Sequence, residues 1–201
     1  MSRSIPSRRS LRLFASALFV GALALSGCAT EKPVPEMKPA TDSTILTEYG
    51  LDGLDVREII DTLDSTPVAE RPTDLLASVR PDALELSSSL GEVALPMPDD
   101  EVYVSVAPYR TQTHDCHFHS LTTCLGELSN TEVDVTVTDS TTGETVIDET
   151  RTSFDNGFVG LWLPRGIEAE LHLESGGLNA DVPLSTTSDA DATCVTTAEL
   201  S

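Results

Sequence analysis

Apolar and polar positions follow a helical period in the region between residues 45 and 82. Apolar side chains recur at i, i+3, i+4 and i+7, which predicts one buried face of a helix formed by Val56, Ile59, Ile60 and Leu63. Asp55 lies at a natural N-cap position, and Glu58 follows three residues later, as a capping box requires. The pattern therefore predicts a helix that begins directly after Asp55.

Prolines divide the rest of this region. Pro67 is expected to end the first helix, and a second short helix is predicted between Pro72 and Pro81, through Leu75, Leu76 and Val79. A unit of this size is too small to bury a core alone. We therefore expect residues 45–82 to form a small helical N-terminal domain, which either caps the rest of the chain or makes a homodimer.

From residue 83 onward the period changes to two, which is typical of strands. The predicted strands are 83–95, 102–106, 133–137, 146–152, 158–163, 168–174 and 180–184. Turn residues stand between them at 140–143 and 155–157. The predicted fold class is α+β and mainly β. A small helical region would lie on or beside an antiparallel β-sandwich or partly open barrel formed by residues 83–201.

The first 27 residues have the pattern of an export signal. Four arginines and no acidic residue precede an apolar stretch of 13 residues, from Leu13 to Leu25, which is too short to span a bilayer. The stretch ends in Leu-Ser-Gly-Cys, which resembles a bacterial lipobox with Cys28 as the lipidated residue. Residues 28–44 contain three prolines and are expected to form a tether. The sequence thus predicts a protein anchored to the outer face of the cytoplasmic membrane, with the membrane as a partner through the lipid.

The charge balance excludes one large class of function. The 201 residues include 33 acidic and 12 basic side chains, for a formal net charge of −21. Nucleic-acid binding needs a basic surface, so we expect no nucleic-acid partner. No Ser-His-Asp arrangement, phosphate loop or paired-carboxylate motif stands out, and a binding protein is favoured over an enzyme.

The candidate chemistry is concentrated in one short segment. Residues 113–124 read THDCHFHSLTTC, with Cys116, Cys124 and three of the four histidines of the chain. Thiolate and imidazole are the ligands that soft and borderline metals prefer. Cys194 lies 70 residues beyond Cys124 and joins them only if the fold carries the C-terminal strand beside this loop.

The cysteines leave three interpretations open. A metal site would use zinc or Cu(I), between which the spacing does not decide. A structural disulfide would leave one spare thiol in an exported β-sandwich module. A thiol–disulfide redox protein would use the same cysteines, although the motif of two cysteines separated by two residues is absent.

Longer motifs resemble a known family. The segments THDC at 113–116, HSLTTC at 119–124, GEL at 126–128, SFDNGFVG at 153–160, WLP at 162–164 and CVTT at 194–197 resemble the CueP family of bacterial periplasmic copper-binding proteins. The upstream segments 71–73, 77–78, 80–81 and 104–105 are similar to that family as well. The resemblance runs in the same order from about residue 55 to the C-terminus.

This resemblance implies a copper-resistance protein that sequesters or hands on copper, with Cu(I) as the favoured ion. Zinc stays the alternative that the ligand types allow. The resemblance implies a copper site formed by Cys116, Cys124 and Cys194, with His119 and His114 as auxiliary ligands. It also implies an N-terminal domain able to form a homodimer and an exported copper-requiring acceptor protein as a partner. The role of His117, where the family has another residue, is left open.

Overall fold

The computed structural model describes residues 42–201. The predicted signal peptide, Cys28 and the tether up to residue 41 lie outside these residues. Two α-helices are present, α1 (Asp42–Glu48) and α2 (Val56–Ser65), followed by a 3₁₀ turn at Val68–Glu70. None of the helices among the described residues is long and apolar enough to cross a membrane.

The start of α2 confirms the predicted capping box. The Asp55 carboxylate accepts a hydrogen bond from the backbone N–H of Glu58, and the Glu58 carboxylate accepts one from the N–H of Asp55, both at 2.9 Å. The apolar side chains Ile59, Ile60 and Leu63 are buried, as the period predicts. Because this face is already covered within the chain, a homodimer would need another surface.

The strands confirm the prediction of a mainly β fold. The described residues contain β1 (Leu76–Val79), β2 (Ala83–Ser88), β3 (Gly91–Pro96), β4 (Glu101–Val106), β5 (Glu132–Asp139), β6 (Thr145–Thr152), β7 (Val159–Pro164), β8 (Glu168–Ser175), β9 (Leu178–Ser185) and β10 (Cys194–Val195). They form three sheets with the orders β1-β2-β3, β10-β4-β7 and β6-β5-β8-β9. All pairs are antiparallel except β10 with β4, and none of these sheets closes into a barrel.

The prediction of a second short helix between Pro72 and Pro81 is wrong, because residues 76–79 form β1. Leu75, Ala77 and Val79 are all buried, whereas Leu76 between them is 58 % exposed. This is a period of two, and pairing with β2 satisfies the backbone groups that a helix would have satisfied internally. The β1–β2 pair crosses the proposed domain boundary at residue 82, and that boundary stays a prediction.

Two further details differ from the expected strands. The predicted strand 83–95 is a hairpin, because the chain turns between β2 and β3 where Leu90 N–H donates to Ser88 Oγ at 3.1 Å. The turn lacks the Asn-Gly or Asp-Gly pair by which such turns are recognised. The short β10 was not predicted, since two residues carry no periodic signal.

The core has two main parts. One lies between the β10-β4-β7 and β6-β5-β8-β9 sheets and consists mainly of Val, Leu and Ala side chains. The other gathers α1, α2 and the β1-β2-β3 sheet around apolar side chains that include Tyr103 of β4 and Leu121. Because β4 contributes to both, it joins the helical region to the β-sheets.

Two loops pack backbone against backbone beside the cysteines. Gly126 N–H donates to the Asn156 carbonyl at 2.6 Å. A Cβ atom at Gly157, whose φ is +80°, would lie 2.6 Å from the backbone C and O atoms of Gly126. The turn at 155–157 therefore fixes the position of the loop that follows Cys124.

A pair of glycine substitutions tests this contact. Gly157→Ala is expected to lower the free energy of unfolding by the cost of a left-handed alanine, about 1–2 kcal/mol, and further by the steric conflict, about 1–3 kcal/mol. Gly143→Ala is the matched control, because Gly143 also has a positive φ of +74° but a Cβ there meets no atom within 4 Å. Urea unfolding measures both, and equal losses in the two variants would contradict the proposed packing role.

Candidate metal centre

Backbone hydrogen bonds bring Cys194 to the loop at residues 113–124, which contains three histidines. Cys194 lies in β10, which runs parallel to β4 in register with Ser105. The His117 carbonyl accepts hydrogen bonds from the N–H groups of Thr193 and Cys194, at 2.9 and 3.1 Å. As a result, the Cα atoms of Cys116 and Cys194 are 5.7 Å apart although 78 residues separate them, and the two residues form a disulfide.

The third cysteine lies against this pair. The chain turns after Ser120, whose carbonyl accepts from Cys124 N–H at 3.1 Å, and Cys124 Sγ lies 3.6 Å from Cys116 Sγ. Four potential ligand atoms lie within 4.8 Å of one another, and they belong to His114, Cys116, Cys124 and Cys194. Three sulfurs and one imidazole nitrogen are therefore close enough to bind a single ion. They lie beside an open cleft of about 640 Å³ lined by residues 112–116 and 123–127.

His119 lies behind the sulfurs rather than within this group of four. It is fully buried, its ring centroid is 4.5 Å from that of Phe158, and its Nε2 is 3.0 Å from Asp64 Oδ1. The other two histidines lie elsewhere. His117 Nε2 contacts the Ala190 carbonyl at 3.0 Å, and His172 pairs with Asp181 on the β8–β9 surface.

Asp64 is the buried counter-charge for His119. Burial by itself raises the pKa of the Asp64 carboxyl, but the charge of His119 and the hydrogen bonds that the carboxylate accepts outweigh it, so the net pKa lies below the usual value. Burial likewise lowers the pKa of His119, and Asp64 more than reverses this, so the net pKa is raised. The pair is therefore held as carboxylate and imidazolium at neutral pH.

This pair acts on the adjacent thiol. Burial raises the pKa of Cys124, whereas the neighbouring His119 lowers it, and the net pKa is below that of an ordinary cysteine. Arg71 NH1 also donates to the Cys124 carbonyl at 2.9 Å. Since the thiolate is both the metal ligand and the nucleophile, the lowered pKa favours both roles for Cys124, the one free cysteine among residues 42–201.

A surface carboxylate holds the loop that carries His114. Glu127 Oε2 accepts hydrogen bonds from the N–H groups of Arg110 and Thr111, at 2.6 and 2.9 Å, and Oε1 accepts one from the Thr111 hydroxyl at 2.6 Å. The Thr111 and Arg110 hydrogen bonds lower the pKa of Glu127 to about 2. The carboxylate thus stays charged over most of the acidic pH range, and its hydrogen bonds hold the loop there.

The structure brings Cys116, Cys124, Cys194 and His114 together and places His119 directly beside them. Asp64 and Arg71 are functional neighbours that sequence reasoning missed. A signal for Asp64 existed, because it follows Ile60 by four residues and so puts a carboxylate on the apolar face of α2. Nothing in the local pattern pointed to Arg71 as a partner of the Cys124 backbone.

Fold and site together define a class: a small, mainly β protein that carries a thiol- and imidazole-rich candidate metal centre. Residues 58–199 match the family model described as periplasmic copper-binding protein CueP. The chain is also similar to a crystal structure described as S.CueP, with 38% sequence identity, a TM-score of 0.75, and coverage of 82% of this chain and 99% of that one. No curated protein matches the chain. The chain belongs to the CueP family, as its motifs indicate.

Acid should release the loop held by Glu127. The folded pKa is depressed to about 2 from an ordinary value of 4.5, so the stabilisation is present above pH 4.5 and lost as pH falls toward 2. We expect wild type to hold the Arg110 and Thr111 amides against hydrogen exchange better than Glu127→Gln at pH 6. This difference should shrink between pH 4.5 and 2. A difference that does not depend on pH would contradict the assignment.

Proposed function

We propose that this protein is exported and binds copper, in the form of Cu(I), through the thiolates of Cys116, Cys124 and Cys194 with His114 as a further ligand. The observation that carries the proposal is the convergence of these three sulfurs and one imidazole within 4.8 Å. Sulfur-rich, low-coordinate sites suit Cu(I), whereas carboxylates are not part of the group. The family description, which names a periplasmic copper-binding protein, supports the same metal and compartment.

The disulfide sets a condition for binding. Cys116 and Cys194 have no thiolate to offer while they are joined, so the full ligand set exists only in the reduced protein. Cys124 and His114 are the members of the group that stay available in either state. Copper binding in an exported protein would thus depend on the local thiol–disulfide balance.

The surroundings of the site support transfer as well as storage. The site borders an open cleft, and Leu125, the neighbour of Cys124, is 54 % exposed. We propose that the protein sequesters copper and hands it to an exported copper-requiring acceptor that docks at this opening. We also propose that lipidation at Cys28 tethers it to the outer face of the cytoplasmic membrane, which would keep the site in the cell envelope.

Replacing the sulfurs tests the copper site. Reduced wild-type protein is expected to take up one Cu(I) per chain in competition with a chromophoric chelator, and more weakly as pH falls, because the thiolates must lose protons. The triple variant Cys116→Ser, Cys124→Ser, Cys194→Ser should lose at least about 100-fold in affinity, beyond the cost of changing an outer-shell residue. His172→Gln is the control, since this histidine lies on the β8–β9 surface.

Two results would end this proposal. One is Cu(I) affinity in the triple serine variant equal to that of wild type. The other is a reduced wild-type protein that binds neither Cu(I) nor Zn(II), which would favour a disulfide-containing module without a metal. Tighter binding of Zn(II) than of Cu(I) would change the metal to zinc.

A second candidate function uses the same sulfurs for redox chemistry. Its support is the Cys116–Cys194 disulfide with the activated thiol of Cys124 only 3.6 Å from Cys116 Sγ. In the reducing direction, two thiols would give one electron each to two Cu(II) ions, forming one disulfide, two Cu(I) ions and two protons. In exchange, the Cys124 thiolate would attack Cys116 and release Cys194 as a thiolate.

Thiol counting separates redox chemistry from passive binding. If the protein reduces Cu(II), anaerobic addition of two equivalents of Cu(II) to the reduced protein should remove two thiols and yield two Cu(I), measured with a thiol reagent and a Cu(I) chelator. Cys124→Ser should slow this reaction while keeping the Cys116–Cys194 pair. Unchanged thiol content after Cu(II) addition would exclude the redox candidate and leave copper binding as proposed.

A further inference from the structure

We propose that Asp64, on the buried face of α2, is a positioning residue that holds the Cys124 sulfur in place through the His119 imidazole. The inference rests on the proposed copper-binding function, because Cys124 is one of the proposed ligands. It concerns a residue outside the ligand set, on a helix rather than on the loop and the short strand that carry that set. Its consequence is that α2 takes part in forming the proposed metal centre.

The Asp64 carboxylate is fully buried and has a full set of donors. Its Oδ2 accepts hydrogen bonds from Tyr103 at 2.7 Å and Ser105 at 3.1 Å. Its Oδ1 accepts one from Asn156 at 2.7 Å and faces His119 Nε2 at 3.0 Å. A carboxylate held by four groups from three parts of the chain has one orientation, so it gives His119 a fixed partner.

That partner determines which way the imidazole faces. With Nε2 bound to Asp64 and the ring against Phe158, the remaining nitrogen, Nδ1, cannot turn away without breaking the contact with the carboxylate. Nδ1 is buried and has no well-formed hydrogen bond among residues 42–201. The N–H of Ser120, which follows His119 in the chain, donates to Cys124 Sγ at 3.4 Å. The Cys124 thiol therefore lies next to the ring and is the group that the free nitrogen can meet.

The same region also holds the backbone of Cys124. Arg71 is nearly buried, donates from NH1 to the Cys124 carbonyl at 2.9 Å, and places NH2 3.5 Å from the Asp64 carbonyl and 3.8 Å from its Oδ1. The segment from α2 to Arg71 therefore contacts Cys124 at two points, its carbonyl directly and its sulfur through His119. The other two sulfurs are positioned by the pairing of β10 with β4 and by the loop at 116–118.

The chain offers a graded set of variants. Asp64→Ala removes the acceptor for His119. Asp64→Asn keeps this acceptor, because the amide oxygen can face His119 and Asn156. The amide N–H₂ group then faces the Tyr103 and Ser105 hydroxyls, which can turn to accept its hydrogen bonds. Ser105→Ala is the matched control, since it removes one hydrogen bond to Oδ2 while Tyr103 still holds that oxygen, and it leaves the His119 and Asn156 contacts with Oδ1 intact.

The first readout is Cu(I) affinity of the reduced protein. We expect Asp64→Ala to lose about 10-fold, the low end of what outer-shell changes cost a metal site. Asp64→Asn should recover most of this loss, and Ser105→Ala should bind as wild type does. His119→Gln, whose amide can still donate to Asp64, should lose as much as Asp64→Ala, and adding Asp64→Ala to it should cost nothing more. Equal losses in Asp64→Ala and Ser105→Ala, or additive losses in the double variant, would overturn the proposal.

The second readout needs no copper. In the metal-free reduced protein, nitrogen-15 NMR of His119 should show a slowly exchanging Nε2 proton in wild type, Ser105→Ala and Asp64→Asn. That signal should be lost in Asp64→Ala, together with a shift of the Cys124 Cβ resonance, and His119→Gln should shift the same Cβ resonance. An unchanged Cys124 resonance in both Asp64→Ala and His119→Gln would overturn the proposal even if copper binds. If wild type binds no copper, the proposed function fails while this experiment still decides the positioning role.

Discussion

The backbone of residues 117–121 hydrogen-bonds to two separate parts of the chain at once, and the convergence of the cysteines depends on it. On one side, Val79 N–H donates to the His119 carbonyl and Leu121 N–H to the Ala77 carbonyl, both at 2.8 Å. On the other, the His117 carbonyl accepts from Thr193 and Cys194. Buried peptide groups need such partners, so the segment has little freedom to move. Cys116 precedes it and Cys124 follows it, which leaves both sulfurs beside Cys194.

A second constraint acts from the opposite side of the segment. A buried carboxylate, imidazole and guanidinium are tolerated only because they compensate one another and because polar side chains satisfy what remains. Asp64 and Arg71 come from the N-terminal region, whereas His119 comes from the cysteine-bearing loop. The helical region and the site therefore share one buried polar network. The site is buried where it meets this network and open where it meets the cleft.

A disulfide and a bound metal would compete for the same sulfurs. A disulfide between Cys116 and Cys194 stabilises the fold by closing a loop of 78 residues, yet it takes two thiolates away from a metal. A bound metal would hold the same three sulfurs together without that covalent link. The redox state of one pair thus decides whether all three sulfurs are free to bind a metal.

Local features of the chain were determined by the sequence alone. The capping box at Asp55, the buried face of α2, the main strands and the grouping of His and Cys in 113–124 all follow from neighbours within a few residues, whose periods and spacings can be counted. Tertiary structure decided the rest. Residues 76–79 form β1 because they pair with β2, and His119 contacts the carboxylate of Asp64, 55 positions away. Cys194 forms a disulfide with Cys116. These contacts depend on which sheet edges pair and in which register, and that choice is made by burial and backbone hydrogen bonding across the whole fold.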